Sequence, residues 1–436
     1  MVKIEYHFLV YLIEDGNALM DVNLLVNECV RGLKTKINDF FFKKKHRVRE
    51  QDFTRKRKLA FVTIIYMMLN FNSKSNELTA YNFFEDILEE ESVTGTAFEN
   101  ARSKIKSSAF VELFVDTRNL SISAKNQETF YGYRICAIDG STALLPYSVE
   151  LLEKYGSSTP VAGKTYARIS ICADVLNGVV LDGEIDSFSV GERKLAMRHI
   201  QKELSIKAIY LFDRGYWDPK LIVAMFARGQ KFLMRLSKNA IKEITDSKEN
   251  SGDYILVNKR SKYRFRYYKF QLDSGEIEYL ITNVSRDEIS DSDLPNLYRM
   301  RWGVETKYNE LKNRLRFEDF SGKSVNAIEQ EFYASMIVMN MTGFVIAGAT
   351  VKVKEKKRSK RAVHAHKPNG NMAVGILKNR LIKAIITDDP VLQEKKIDKL
   401  VNDISKYVIP IKPNRKNQRT KTNTKHRRTR RPKNPL

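Results

Sequence analysis

The sequence predicts a mixed α/β fold: a helical N-terminal part, a sheet of about five strands with crossover helices and a β-rich insertion, and a basic C-terminal extension. Three observations predict it. Apolar residues recur at helical spacing through residues 1–125. From residue 126, short apolar runs bounded by turn signals alternate with helical stretches. From Lys352 onward, charge dominates.

The N-terminal part opens with helical patterning and a basic run that holds Lys43, Lys44, Lys45, Arg47, Arg49, Arg55, Lys56, Arg57 and Lys58. The apolar stretch Leu59–Phe71 follows it. Next, Ser92-Val93-Thr94-Gly95 leads into AFENARSKIKSSAF, where Phe98, Ala101, Ile105, Ala109 and Phe110 form one apolar face. Arg102, Lys104 and Lys106 on its other sides suit contacts with a phosphate backbone, and equally suit an ordinary amphipathic helix.

The sheet region begins with Tyr133–Ile138, a strand ending at Asp139-Gly140. Residues 168–176 and 179–185 flank Asn177-Gly178, a strong hairpin signal because both residues accept positive φ. Residues 190–204 read as a helix and Ala208–Phe212 as a buried strand ending at Asp213-Arg214-Gly215. A helix over 219–228 and a strand over 231–236 follow. Residues 238–276 are polar and partly β-patterned, 278–282 form another strand, and a long helix starts near Asp293.

Composition bounds the function. The chain has 436 residues, with 76 Lys plus Arg against 52 Asp plus Glu, a net charge of +24 and a pI near 9.7. Hydrophobic residues at 42% exclude wholesale disorder. The charge calls for a polyanionic partner: nucleic acid first, an anionic membrane surface second. Residues 352–367 and 412–436 together contribute 18 of the net charge of +24, and the latter segment has eleven Lys or Arg, no acid and three prolines. That tail cannot bury a core and is expected to be disordered without a partner, gripping DNA in a salt-sensitive way.

Cys29, Cys136 and Cys172 are too scattered for a disulfide framework or a zinc knuckle, which points to a reducing compartment. The N-terminus lacks the layout of a signal peptide. Phe332–Val351 is uncharged over 20 residues, long enough to cross a bilayer, but polar residues interrupt it and an interior helix is the preferred reading. The expectation is therefore no membrane. The acids Asp182, Glu184 and Asp186 alternate on one strand face, expected to be a solvent-exposed edge. His364-x-His366 has no acid or Cys neighbour, so it is not read as a metal site. No phosphate-cradling Gly-rich loop occurs.

The chemistry rests on three acids. Asp139 and Asp213 each follow an apolar strand, and alone each is an ordinary turn residue. The helix between their strands permits a parallel neighbour placement, which would bring both to one sheet edge, where sites form. Carboxylates held together need a compensating cation, which a pair of divalent ions supplies. On the helix after Asp293, Tyr298, Arg301, Glu305 and Lys312 fall within about 60° of one another at about 100° per residue. Leu297, Met300, Val304, Leu311 and Leu315 make an adjacent apolar stripe. Glu305 can ligand a metal, and Arg301 and Lys312 can hold phosphate.

The series Tyr298, Arg301, Glu305, Lys312 resembles the Tyr-Arg-Glu-Lys signature of the bacterial insertion-sequence DDE transposases of the IS-four family. Ala137-Ile138-Asp139-Gly140-Ser141 resembles that family's first-aspartate strand. Phe212-Asp213-Arg214-Gly215-Tyr216 resembles its second-aspartate segment, and Ile281-Thr282-Asn283 the strand leading into the signature helix. The resemblance covers roughly residues 40–350.

It implies a ribonuclease-H-like catalytic core with a β insertion at about 238–276. Asp139, Asp213 and Glu305 would be its catalytic, metal-binding triad, holding two Mg²⁺ with Mn²⁺ able to substitute. Tyr298, Arg301 and Lys312 would contact DNA. The implied domains are a helical DNA-binding region at 1–125, a catalytic domain at 126–351 and a basic extension at 352–436. The implied activity is metal-dependent cleavage at element ends and strand transfer into target DNA. Its implied partners are double-stranded DNA, terminal inverted repeats and target alike, and a second subunit in a homodimeric synaptic complex. The setting would be the bacterial cytoplasm, at the nucleoid. A non-catalytic DNA-binding protein derived from such an element is the alternative. Trp217 and Trp302, beside two of these segments, could stack on an unpaired base or pack in the core.

Overall fold

The computed structural model describes residues 17–70, 75–124, 127–157, 164–202, 204–272, 274–303, 320–355 and 364–411. The helices of the first part are α1 (Asn17–Asn38), α2 (Phe40–His46), α3 (Phe61–Met68), α4 (Asn76–Phe83), α5 (Gly95–Arg102) and α6 (Ser108–Ser123). Their starts follow from capping side chains. Asp39 accepts from Phe42 N, Ser75 from Leu78 N and Thr94 from Ala97 N, each satisfying an amide that the helix leaves open. Lys43, Lys44 and Lys45 sit in the last turn of α2, where the helix dipole favours cations.

The helix expected through residues 97–110 breaks after Arg102, and that break turns Arg102 inward. Its guanidinium is 2% exposed and donates to Gln330 Oε1 at 3.1 Å, Glu331 Oε1 at 2.8 Å and Ala327 O at 3.0 Å. Arg102 therefore holds the core together and does not face a phosphate backbone. Arg102→Ala is expected to lower the unfolding free energy by about 3 kcal/mol, because it strands the Glu331 carboxylate in a largely buried setting. Urea unfolding of the two proteins measures this.

Glu112 on α6 ties the first helices together, accepting from Lys45 Nζ at 2.6 Å, Lys36 Nζ at 2.7 Å and His46 Nε2 at 2.8 Å. Burial alone would raise its carboxyl. The bonds from Lys36, Lys45 and His46 outweigh burial and bring the pKa down from 4.5 to about 2. A carboxyl depressed on folding stabilises the fold above its unfolded pKa and loses that contribution as pH falls through the folded one. Thermal stability should therefore fall between about pH 4.5 and about pH 2. Glu112→Gln should flatten that slope, as melting curves across the window would show.

The sheet is built from β1 (Arg134–Leu145), β2 (Thr165–Asp174), β3 (Val179–Ser187), β4 (Ala208–Phe212), β5 (Lys231–Leu236), β6 (Ser251–Asn258), β7 (Ser261–Gln271) and β8 (Ile277–Thr282). Their order across the sheet is β3-β2-β1-β4-β5-β8-β7-β6. β1 and β4 pair parallel, as do β4 and β5, and the other neighbours are antiparallel. The hairpin at Asn177-Gly178 is present, with Gly178 at φ +68° and Asn177 N donating to Asp174 Oδ1 at 3.1 Å. Between the strands lie α7 (Val149–Tyr155), α8 (Glu192–Gln201), α9 (Pro219–Ala227) and α10 (Lys242–Thr245). The β-rich insertion extends the main sheet. β8 zips onto β5, and the β6–β7 hairpin continues from it.

After the sheet come α11 (Leu294–Arg299), α12 (Val325–Glu355), β9 (His366–Pro368), α13 (Gly370–Leu377), α14 (Arg380–Ile385), α15 (Pro390–Lys406) and β10 (Val408–Pro410). The uncharged run Phe332–Val351 lies in α12, which packs on α1, α6, β3 and α15. It is long and apolar enough to cross a membrane, but 78% of its most apolar window is buried inside the protein. Its polar residues explain this. Asn340 is fully buried, with Oδ1 accepting from Val180 N at 2.8 Å and Nδ2 donating to Val180 O at 3.0 Å. One side chain thus stands in for a missing strand at the edge of β3. Gly343 lets α12 approach the hairpin turn, where a Cβ would lie 2.8 Å from Gly178 O. A single apolar cluster runs from Val26 to Ile404, joining the N-terminal helices, the sheet and the C-terminal helices.

Candidate active site

The parallel register of β1 and β4 runs from Arg134↔Ala208 to Ala137↔Leu211. Continued by two residues, it brings Asp139 and Asp213 to facing positions on neighbouring strands. Asp139 is not at the end of its strand, as expected from sequence. β1 continues to Leu145 against β2, and it is β4 that stops, because Arg214–Tyr216 curls into a 3₁₀ turn. Beyond Ala137 this edge of β1 therefore has no strand partner among the described residues, and from Asp139 the strand passes from fully to partly buried. Asp139 Oδ1 accepts from Gly140 N at 2.9 Å, and Asp213 Oδ1 from Arg214 N at 2.8 Å.

The signature segment reaches this pair directly. Tyr298 Oη donates to Asp213 Oδ1 at 3.1 Å. Both of these bonds fall on Oδ1, and Oδ2 has none among the described residues. The Arg301 guanidinium lies over the Tyr298 ring at 5.6 Å, a cation–π contact. Tyr298 and Arg301 are 4% and 5% exposed, so they lie under the site and not on a polar rim. The long helix expected after Asp293 turns at Met300–Arg301. Glu305 and Lys312 lie outside the described residues. Trp217 packs against the core, and Trp302 is 58% exposed.

Several neighbours are not related to the acids by any spacing in the chain. Gly140 makes room for Glu192 of α8, since a Cβ there would lie 2.7 Å from Glu192 Cγ. Glu192 Oε1 accepts from Arg168, which also donates to Thr142 Oγ1, both at 3.2 Å. Arg193 Nε donates to Gly215 O at 2.8 Å, fixing the start of α8 against the Asp213 segment. Tyr216 is 2% exposed, and its hydroxyl has no hydrogen-bond partner among the described residues. Burial pushes its phenol well up, and the charges of Asp139, Glu192 and Asp213 push it further. Glu278 of β8 bonds Arg235 at 2.8 Å. Burial raises its carboxyl, with Arg235 and Arg301 opposing and Asp213 adding to the rise.

The acids Asp182, Glu184 and Asp186 are not a solvated edge. α8 covers them, pairing His199 and Lys202 with Asp182, Lys202 and Arg198 with Glu184, and Arg198 with Asp186. The spacing of Arg198, His199 and Lys202 on one helix face was the available signal.

Two carboxylates brought to neighbouring strand positions repel one another. The site thus favours a bound cation, and oxygen donors suit Mg²⁺ or Mn²⁺. The buried Tyr216 hydroxyl, without a hydrogen-bond partner among the described residues, suits an oxygen-rich guest such as a hydrated ion. Among the described residues no three His, Cys, Asp or Glu side chains form a metal cluster.

Residues 130–341 match the family described as Transposase DDE domain, a span that includes Asp139, Asp213 and the signature segment. A Synechocystis sp. protein named as a candidate transposase for insertion sequence element IS4SA is 24% identical over 179 residues. That alignment covers 40% of this chain and half the length of the relative. Among solved structures, a cryo-EM synaptic complex of piggyBac transposase with hairpin DNA is similar at TM-score 0.43 and 11% identity, covering 87% of this chain and 84% of that one. Residues 130–341 thus match a transposase DDE domain, and the chain is similar to a protein named for an IS4-type insertion element.

Proposed function

We propose that this transposase cleaves DNA at element ends and joins the freed 3′-hydroxyl to target DNA, using Asp139, Asp213 and Glu305 as the acids of one metal site. The observation that carries the reading is the placement of Asp139 and Asp213 on neighbouring parallel strands where β4 ends, with Tyr298 bonded to Asp213. The strand order β3-β2-β1-β4-β5, with β4 and β5 parallel to β1, supports a ribonuclease-H-like core. When bound, two Mg²⁺ ions would activate the attacking hydroxyl and neutralise the leaving oxygen.

The chain's own residues do the rest. Gly140 N, Arg214 N and Tyr298 Oη fix the two carboxylates through their Oδ1 atoms. Arg301 offsets the negative charge from beneath. Glu305 would complete the set from the signature segment, and Lys312 would hold a phosphate. DNA, in the form of element ends and target, and a second subunit are the partners on this reading.

The test is to incubate the purified protein with Mg²⁺ and labelled duplex carrying the inverted repeats that flank its gene. Site-specific nicking at the repeat boundary, absent in EDTA, is expected. Binding without any nicking would instead support a non-catalytic DNA-binding role. Asp139→Asn should abolish nicking and leave binding of the ends intact.

A further inference from the structure

A buried chain of hydrogen bonds runs from the edge of the sheet to the main chain of Asp139. Ser170 Oγ donates to Asp139 O at 3.1 Å, His199 Nε2 lies 3.0 Å from Ser170 Oγ, and His199 Nδ1 lies 2.6 Å from Asp182 Oδ2. Lys202 Nζ closes the chain on Asp182 Oδ1 at 2.8 Å. Ser170, His199 and Asp182 are at most 4% exposed. The residue types are those of a nucleophilic triad, but the geometry excludes that use. The single Ser170 hydrogen is given to the Asp139 carbonyl, and no solvent reaches the hydroxyl. The His199 ring then bridges the Ser170 hydroxyl and the Asp182 carboxylate, one through each ring nitrogen.

We infer that Ser170 and His199 are positioning residues for Asp139, with Asp182 anchoring the imidazole. The placement explains why they are needed. The β4 ladder of β1 ends at Ala137, while its pairing with β2 continues past Asp139 to Leu145. Ser170 sits opposite Gly140 in the β2 register, so its hydroxyl reaches the carbonyl of Asp139, the residue before. The hydroxyl bond to Asp139 O ties the strand there to α8, on the face away from Asp139's own side chain. Outer bonds of this kind around a metal-holding group are worth about 10–100-fold in metal affinity or activity.

The inference rests on Asp139 being a metal ligand, and the experiment separates the two. Mn²⁺ binding is followed by electron paramagnetic resonance, together with single-turnover nicking and DNA affinity. Asp139→Asn is the control. If it leaves Mn²⁺ binding unchanged, the metal-site reading fails. With that control positive, Ser170→Ala should weaken Mn²⁺ binding and slow nicking about tenfold, with DNA affinity unchanged. Ser170→Thr, which keeps the hydroxyl, should restore both.

At His199 the two amides discriminate further. Gln can place its N–H near Nε2 and Asn near Nδ1, so His199→Gln should retain more activity than His199→Asn. A merely space-filling histidine would treat the two alike. Wild-type Mn²⁺ affinity and nicking in Ser170→Ala would overturn the proposal. So would equal losses in Ser170→Ala and Ser170→Thr, or in the two His199 variants.

Discussion

Asp213→Asn is expected to reduce nicking at element ends on the order of 10³-fold or more, with binding of the ends and thermal stability preserved. The substitution keeps the shape of the side chain. Its remaining oxygen can still accept from Arg214 N and Tyr298 Oη, the two bonds that now fall on Oδ1. What changes is the other atom. Oδ2, which has no protein bond among the described residues, becomes an amide nitrogen with hydrogens and no lone pair for a metal. The negative charge is lost as well, which relieves repulsion with Asp139, so the melting temperature should hold or rise slightly. A Mg²⁺-dependent nicking assay, a gel-retardation assay and a melting curve read the three quantities. Full nicking by Asp213→Asn would exclude this carboxylate from the chemistry. Loss of folding would show that its role is structural.

The strands around the two aspartates are legible in the sequence because they depend on local patterns. Buried parallel strands read as unbroken apolar runs, so Ala208–Phe212 and 231–236 were found directly, and the Asn177-Gly178 turn announced its hairpin. Asp213 was legible as an acid just past a strand, but Asp139 lies inside β1, which runs on to Leu145, and the helix expected to carry the signature residues turns at Met300–Arg301. The surroundings of the acids were not legible, because they come from tertiary approach. Glu192 meets Gly140 across 52 positions of chain, and Arg102 meets Gln330 across 228. The same limit explains the errors. Asp182, Glu184 and Asp186 look solvated until α8 lays three basic side chains over them. Arg102 looks like a surface cation until its helix ends and turns it inward. The apolar run in α12 could be weighed correctly only because Asn340 and its neighbours made a lipid-facing helix costly.

Arg301→Gln is expected to slow nicking about 10²-fold while tightening Mn²⁺ binding, and that opposition of signs is the point of the prediction. Arg301 is 5% exposed and stacked on Tyr298. Its charge lowers the pKa of Tyr298, Tyr216 and Glu278 against burial and the neighbouring carboxylates, which raise them. It is therefore a built-in cation within a ring of acids and phenols. Without it the field at Asp139 and Asp213 becomes more negative, and a divalent ion is held more strongly. The phosphate that must approach the same acids is repelled more strongly, and that cost falls on the step in which its negative charge shifts between oxygens. Arg301→Lys keeps the charge but loses the planar stack and fork, so it should restore wild-type Mn²⁺ affinity while recovering nicking only in part. A variant series in which Mn²⁺ affinity and nicking fall together would place Arg301 among the groups that assemble the metal site. Unchanged nicking in Arg301→Gln would leave it a packing residue beneath Tyr298.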